Sequence, residues 1–356
     1  MKERIVASLS KRIALLAMLG IISVAQGQPV KLPSYQVDLK QTSVSGLSSG
    51  AFMATQFQVA YSSIMVGAGI IAGGPFYCAG TYPLRSYVGA AMTTCMNPGV
   101  LWPEPDAAVS LSSAKVFERM GEIDNLANLK KQKIYVFSGV NDNTVTTPVV
   151  NQTASFYQLA GVPAQNIKYV TNINAGHAIT TNNDNNQPCP VTASPYINDC
   201  DITQSQEILT HIYGPLNPPA MTLSGTIIAF DQDEFSPSML SSMNDTAYAY
   251  VPKSCDTETC KVHVAFHGCE QGTSKIGNLF YTTTGYNETA DTNNIIVLYP
   301  QVEVSGPIPF NPKGCWDFWG YSSPFQAFGL VNFYSKQAPQ MAAVKAMLDR
   351  LSKRRK

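Results

Sequence analysis

Charged side chains are scarce in this sequence. Asp, Glu, Lys and Arg make up 13% of its 356 residues, about half of the usual share of roughly 25%. Basic and acidic residues number 24 each. The chain therefore lacks the excess of positive charge that would indicate a nucleic-acid partner. The four basic residues at 353–356 are too few for such a site and are typical of a solvated helix end. The hydrophobic fraction of 45% still allows a sizeable core.

Long apolar runs are also rare. The apolar segment at residues 13–24 follows four basic side chains and precedes Ala25-Gln26-Gly27. Its dozen residues are too few for a membrane span of about 20 and are typical of a cleaved secretory signal. The sequence therefore predicts a signal peptide over 1–27 and a secreted mature chain, 28–356, with no membrane span. That mature chain has a net charge near −3.

The cysteines lack the CxxC spacing of zinc sites, which argues against a metal. There are eight, and all lie in the predicted mature chain, which indicates disulfides in an exported protein. Short sequence separations favour Cys189–Cys200 and Cys255–Cys260. Cys78–Cys95 is a plausible third pair, which leaves Cys269 and Cys315 for the fourth.

Apolar runs and helical periodicity alternate along the chain, which predicts an α/β fold with a mostly parallel sheet flanked by helices. Residues 181–220 interrupt this alternation with an Asn-rich, Pro-containing stretch, which predicts an insertion or a lid. The predicted strands are 42–45, 66–71, 134–137, 167–170, 226–230, 247–251, 261–266 and 295–299. The main predicted helices are 49–63, 148–159, 204–213 and 339–351, and further helix is predicted from about residue 273.

Residues 46–50, Gly-Leu-Ser-Ser-Gly, match the G-x-S-x-G nucleophile elbow between a predicted strand and a predicted helix. In such an elbow the flanking glycines permit a strained turn that projects the serine hydroxyl above the sheet. The start of the helix directs N–H groups at a developing oxyanion. The motif predicts Ser48 as the nucleophile, with Ser49 as the competing choice, and the Ser49 N–H as one oxyanion donor.

A catalytic serine needs a base and an orienting carboxylate. Of four histidines, His177 follows a predicted strand in a loop of small residues, whereas His211 and His263 lie inside a helix and a strand and are read as structural. Asp142 follows the strand at 134–137, where an ordinary turn aspartate is the alternative. The order Ser48, Asp142, His177 is that of the α/β-hydrolases, which favours this triad.

Residues 267–269, His-Gly-Cys, end another predicted strand and match the oxyanion loop of esterases with this fold. The Cys269 N–H is the second predicted oxyanion donor, and His267 is predicted to help bind substrate. His267 as the catalytic base is the competing interpretation. Trp316 and Trp319 are predicted to form either an apolar shelf for substrate or part of the core.

The order of these segments is unusual for an α/β-hydrolase, because the His-Gly loop follows the triad instead of preceding it. Ser48 also lies only 20 residues after the predicted cleavage point, which leaves no room for earlier strands. The strands predicted after residue 226, with the His-Gly loop between them, supply in the right order the elements that would otherwise precede the nucleophile. The sequence therefore predicts a circularly permuted α/β-hydrolase fold in one catalytic domain, with Leu351 near the strand at 42–45.

Several segments together resemble the single-domain polyhydroxybutyrate (PHB) depolymerases over about residues 40–350. They are SGLSSGAFMA at 45–54, AGGP at 72–75 with Cys78, FHGCEQ at 266–271 and CWDFWGY at 315–321. The resemblance implies a circularly permuted α/β-hydrolase with the triad Ser48, Asp142 and His177 and with Ser49 and Cys269 as oxyanion donors. The segment at 181–200 departs from the family pattern.

The expected function is hydrolysis of a polyester or oligoester through an acyl-enzyme, by a monomer that uses no cofactor and no metal. A feruloyl or acetyl esterase acting on polysaccharide is the alternative within enzymes, because the same site chemistry serves both. A secreted binding module that has lost activity is the alternative outside enzymes. Asn151, Asn244 and Asn287 also fit the glycosylation pattern.

Overall fold

The structure is a computed structural model that describes residues 29–82, 84–236, 238–323 and 330–355. The predicted signal peptide lies outside the described residues and stays a prediction. No helix within these ranges combines the length and apolar content needed to cross a bilayer.

One sheet of eight strands forms the centre of the fold, in the order β4-β3-β2-β1-β10-β11-β9-β8. In this sheet only β9 runs opposite to the other strands, so the predicted mostly parallel α/β sheet is confirmed. A second, three-stranded sheet has the order β5-β7-β6. The strands are β1 (Thr42–Leu47), β2 (Met65–Ile71), β3 (Lys133–Phe137), β4 (Ile167–Val170), β5 (Ile179–Thr181), β6 (Gln187–Pro188), β7 (Ile197–Asp199), β8 (Thr226–Asp231), β9 (Thr246–Val251), β10 (Lys261–Phe266) and β11 (Ile295–Tyr299).

The helices flank the sheet, and two of them, α2 and α3, have no counterpart among the predicted elements. The helices are α1 (Ser49–Ala60), α2 (Tyr87–Met92), α3 (Ala107–Arg119), α4 (Thr147–Leu159), α5 (Gln204–Tyr213), α6 (Thr273–Ile276), α7 (Leu279–Thr283), α8 (Tyr286–Asp291) and α9 (Pro339–Ser352).

Helix α1 is buried on every side, although its sequence pattern predicts one apolar face. Loops that are distant in sequence cover the outer surface of α1. The ring of Phe52 stacks on that of Phe318 with centroids 4.2 Å apart, and the Gln56 amide donates to the carbonyl oxygens of Asp317 (3.0 Å) and Phe333 (3.2 Å). Periodicity along the helix carries no information about these loops, because they lie more than 260 residues away.

The two ends of the described chain meet beside the central strand. The N–H groups of Tyr35 and Val37 donate to the carbonyl oxygen of Leu351, at 2.9 and 3.3 Å. Strand β1 pairs in parallel with β10, which lies more than 200 residues later. The prediction that Leu351 lies near β1 is confirmed, and the strand order is that of a circularly permuted α/β-hydrolase.

All four predicted disulfides are present: Cys78–Cys95, Cys189–Cys200, Cys255–Cys260 and Cys269–Cys315. The Cys189–Cys200 bond closes the segment from the end of β6 to the end of β7. The irregular region ends before α5, since Ile208 and Ile212 of this helix pack against Gly69 and Gly67 of β2. Helix α5 therefore belongs to the helical layer, and an insertion or lid within 181–220 stays a prediction.

A second serine–histidine cluster lies inside the core. The ring of His263, which has no exposed surface, hydrogen-bonds the hydroxyls of Ser43 (2.6 Å) and Ser45 (2.7 Å). Burial lowers the pKa of His263 to about 3 and that of His267 to about 4. Both histidines are therefore neutral in the folded protein near neutral pH, and His263 has the structural role that its place in a strand predicts.

We expect the protein to lose stability as the pH falls from about 6.5 toward 4, because the unfolded histidines then bind protons that the folded ones do not. Stability from this source is complete above the unfolded pKa of about 6.5, and each buried histidine contributes a slope of up to ~1.4 kcal/mol per pH unit below it. Melting temperatures of the wild type and His263→Gln between pH 7 and 5 test this. Equal pH slopes for the two proteins would contradict it.

Candidate active site

Ser48 occupies the sharp turn between β1 and α1. Its backbone has φ of 57° and ψ of −124°, a strained conformation for a residue with a side chain and the one expected of a nucleophile elbow. A Cβ at Gly46 would lie 2.3 Å from the Gly50 carbonyl group, and one at Gly50 would lie 2.4 Å from the carbonyl oxygens of Phe266 and His267. Both glycines are required for the turn to pack this tightly.

His177 and Asp142 form a buried pair, each 5% exposed. The Nδ1 atom of His177 lies 2.7 Å from Oδ2 of Asp142. The other carboxylate oxygen of Asp142 accepts the N–H groups of Thr144 (2.8 Å) and Val145 (3.0 Å). Because a carboxylate can only accept, Nδ1 carries the proton and Nε2 of His177 keeps its lone pair.

Ser48 and His177 line one cavity of about 180 Å³, with Met96, Tyr196 and Lys313 among the other lining residues. Among the described residues no hydrogen bond joins the Ser48 hydroxyl to the His177 ring. Such bonds are often long before substrate binds and tighten in the complex. The structure therefore brings Ser48 and His177 to one cavity, while Asp142 contacts the His177 ring and is not among the lining residues.

The two predicted oxyanion donors are backbone N–H groups, one next to Ser48 in the chain and one in a loop that lines the cavity. Ser49 is the first residue of α1, so its N–H has no partner within the helix. Cys269, in the loop after β10, lines the cavity beside Ser48. Neither N–H donates to an acceptor in the described part of the chain, whereas the N–H of Gly268 is engaged by Gln271 Oε1 at 2.7 Å.

The structure places Trp316 in the core, one of its two predicted roles, and contradicts the predicted substrate contact of His267. Both have no exposed surface. The indole of Trp316 packs against Phe266, with ring centroids 4.9 Å apart. The His267 ring accepts the N–H of Val302 at Nε2 (3.2 Å), and its Nδ1 lies 2.7 Å from the Gly268 carbonyl oxygen. This burial excludes a direct substrate contact for either side chain, and the engaged Nε2 excludes His267 as the base.

Trp319 is partly exposed and packs against Phe318 and Tyr321. It is not among the residues that line the cavity. A contact between Trp319 and substrate therefore stays a prediction.

Two residues at the site were not identified from the sequence. The Thr192 hydroxyl accepts the backbone N–H of His177 at 2.8 Å, and Gln271 holds the oxyanion loop. Gln271 lies inside the FHGCEQ segment, so proximity to Cys269 could have indicated it. Thr192 lies in the predicted insertion or lid, where no sequence signal marks a contact with His177.

Metal-binding side chains do not cluster in the described ranges: no group of three or more His, Cys, Asp or Glu residues is arranged to hold an ion.

Comparison with known proteins gave two extensive sequence matches, while no family model matches the chain. "Poly(3-hydroxybutyrate) depolymerase" of Delftia acidovorans is 40% identical over 345 residues, 95% of this chain and 65% of that protein, so this chain spans about two thirds of its length. "Polyhydroxybutyrate depolymerase" of Talaromyces funiculosus is 38% identical over 351 residues, 94% of this chain and 95% of that protein.

Two solved structures share the fold across nearly their whole length. The PHB depolymerase from Penicillium funiculosum superposes with a TM-score of 0.79 at 35% identity, covering 91% of this chain and 99% of that one. A PHB depolymerase with a serine-to-alanine substitution, complexed with an R3HB trimer, gives a TM-score of 0.78 at 34% identity with the same coverage. With the permuted sheet and the elbow serine, this likeness shows that the chain belongs to the polyhydroxybutyrate depolymerase family of carboxylic ester hydrolases.

Proposed function

We propose that the protein is a secreted serine esterase that hydrolyses poly(3-hydroxybutyrate) or its oligomers. The observation that carries this proposal is the strained Ser48 at the end of a central strand, in one cavity with His177, whose Nδ1 lies 2.7 Å from the buried Asp142. The names of its relatives, and the R3HB trimer bound to one of them, support the polyester as the substrate class.

In the proposed reaction, Nε2 of His177 takes the proton of the Ser48 hydroxyl as its oxygen attacks the ester carbonyl carbon. Asp142 stabilises the imidazolium and keeps Nδ1 as the donor. The N–H groups of Ser49 and Cys269 bind the oxyanion, where removing one such donor typically costs about 10²–10³ in rate.

The tetrahedral intermediate then collapses. The ester C–O bond breaks, the alcohol end of the chain leaves with the proton from His177, and the acyl group stays on Ser48. Water attacks this acyl-enzyme with His177 as base, which releases the carboxylate product and restores Ser48.

Secretion is part of the proposal. Four disulfides are typical of proteins that fold in an oxidising compartment, and the predicted signal peptide agrees with them. The monomeric state likewise stays a prediction.

We expect a serine-directed fluorophosphonate to label Ser48 and the mature protein to release 3-hydroxybutyrate or its oligomers from the polymer. The labelled peptide is identified by mass spectrometry and the products by chromatography. Release of ferulate or acetate from plant polysaccharide without polymer hydrolysis would replace the proposed substrate. Failure of labelling together with failure of all three hydrolyses would leave the binding module.

A further inference from the structure

The loop at residues 189–200, closed by Cys189–Cys200 and named here the clamp loop, packs against the backbone that carries the proposed base. The Gly176 N–H donates to the Cys189 carbonyl oxygen at 2.8 Å, and the His177 N–H donates to the Thr192 hydroxyl at 2.8 Å. A Cβ at Gly176 would lie 2.3 Å from the Val191 carbonyl oxygen, so no side chain larger than that of glycine fits between the two segments at this position.

The clamp loop also contacts the oxyanion loop, through one side chain. Nε2 of Gln271 donates to the carbonyl oxygens of Pro195 (2.8 Å) and Tyr196 (3.2 Å), and its Oε1 accepts the Gly268 N–H at 2.7 Å. Gln271 is 1% exposed, and it is also one of the residues that line the cavity of Ser48 and His177. Both amide hydrogens and the amide oxygen are used, which fixes the orientation of the side chain.

The bond to Gly268 acts one residue before the proposed oxyanion donor. The Gln271 backbone N–H also donates to the Gly268 carbonyl oxygen (3.3 Å). Gln271 therefore bonds both the N–H and the carbonyl group of Gly268, and these two bonds hold the turn at 268–271. The direction of the next N–H, that of Cys269, follows from the orientation of this turn. Oxyanion stabilisation depends on donors held in place before the charge develops.

We propose that Gln271 is a positioning residue that joins the clamp loop to the oxyanion loop, so that the Cys269 N–H and the His177 ring keep their relative placement around Ser48. The inference rests on the proposed function. Gln271 itself touches no reacting atom; it acts through Gly268 on one side and through the clamp loop that holds His177 on the other.

Two substitutions distinguish the bond of Gln271 to Gly268 from its bonds to the clamp loop. Gln271→Met removes both contacts. We expect kcat on a soluble ester of 3-hydroxybutyrate to fall about 10- to 100-fold and KM to change less than about 3-fold, because the lost interactions stabilise the transition state. Gln271→Glu keeps the oxygen that accepts from Gly268 but faces a carboxylate toward two carbonyl oxygens.

The glutamate variant has a pH signature. Burial against carbonyl dipoles raises a carboxyl pKa, and the protonated acid regains an O–H that can donate as the amide does. We expect the ratio of its kcat to that of the wild type to rise as the pH falls from about 8 to about 6. A role limited to general stability would leave this ratio flat.

Gln58→Met is the matched control, because Gln58 is fully buried and its amide bonds to Gln132 and Tyr157 lie in the core, outside the cavity residues. We expect it to lower the melting temperature while kcat stays within about twofold of the wild type. A wild type that is not labelled at Ser48 overturns the proposed function. If the Gln271 variants fold, are labelled at Ser48 and keep the wild-type kcat, and if the kcat ratio of Gln271→Glu to the wild type does not change with pH, this inference is wrong and the proposed function still stands.

Discussion

Replacing Ser48 by alanine should lower kcat for ester hydrolysis by at least about 10⁴-fold, because the acyl-enzyme can no longer form. The fold should persist. Alanine has the same steric cost as serine at a φ of 57°, and the Ser48 backbone N–H still donates to the Ile71 carbonyl oxygen (2.9 Å). Initial rates on a soluble ester, with circular dichroism melting on the same samples, measure both effects.

Ser112 on the exposed face of α3 provides the control for this substitution. Ser112→Ala should keep wild-type kcat and still be labelled by the fluorophosphonate, whereas Ser48→Ala should not be labelled. Activity of Ser48→Ala within about tenfold of the wild type would eliminate Ser48 as the nucleophile.

Asp142→Asn should lower kcat by about 10⁴-fold with little change in fold, by analogy with the same isosteric change in other serine hydrolases. The amide oxygen can still accept from the N–H groups of Thr144 and Val145, so the turn is kept. The amide NH₂ then faces Nδ1 of His177, which favours the tautomer with the proton on Nε2. That tautomer cannot take the proton of Ser48.

The pH profile distinguishes this explanation from simple misfolding. If the tautomer is at fault, rates with Asp142→Asn should rise toward higher pH, where hydroxide replaces the missing base, and the melting curve should match the wild type. Asp106→Asn is the control, since Asp106 caps α3 through its side chain and asparagine caps helices equally well. Wild-type kcat in Asp142→Asn would remove Asp142 from the triad.

The elbow, the triad order and the sheet could be predicted because each leaves a local signal. A strand, a Gly-x-Ser-x-Gly turn and a helix are encoded within about twenty residues, and short Cys separations are similarly local. Helices α2 and α3 escaped prediction. Residues 87–92 form only about one and a half turns, and the hydrophobic stripe of α3 is interrupted by the buried polar Ser110.

The errors at the site concern burial. Trp316 and His267 lie beside site residues in sequence, and that proximity led to a predicted contact with substrate. In the folded chain Trp316 faces Phe266 and the back of the elbow, where its backbone N–H donates to the Ser49 hydroxyl (3.2 Å). Neighbours along the chain differ in exposure because the direction of each side chain is set by segments that pack on it from elsewhere.

By itself, the sequence determined the strand–turn–helix around Ser48, the candidate base and carboxylate and the permuted order of the strands, and it favoured the disulfide pairs without fixing them. These features depend on residue type and spacing along the chain. Only the tertiary structure decided which tryptophan is buried, that Thr192 supports His177, and that Gln271 joins two loops about 75 residues apart. Those contacts arise where loops from different strands meet, and their geometry is set by the packing of the sheet and helices beneath them.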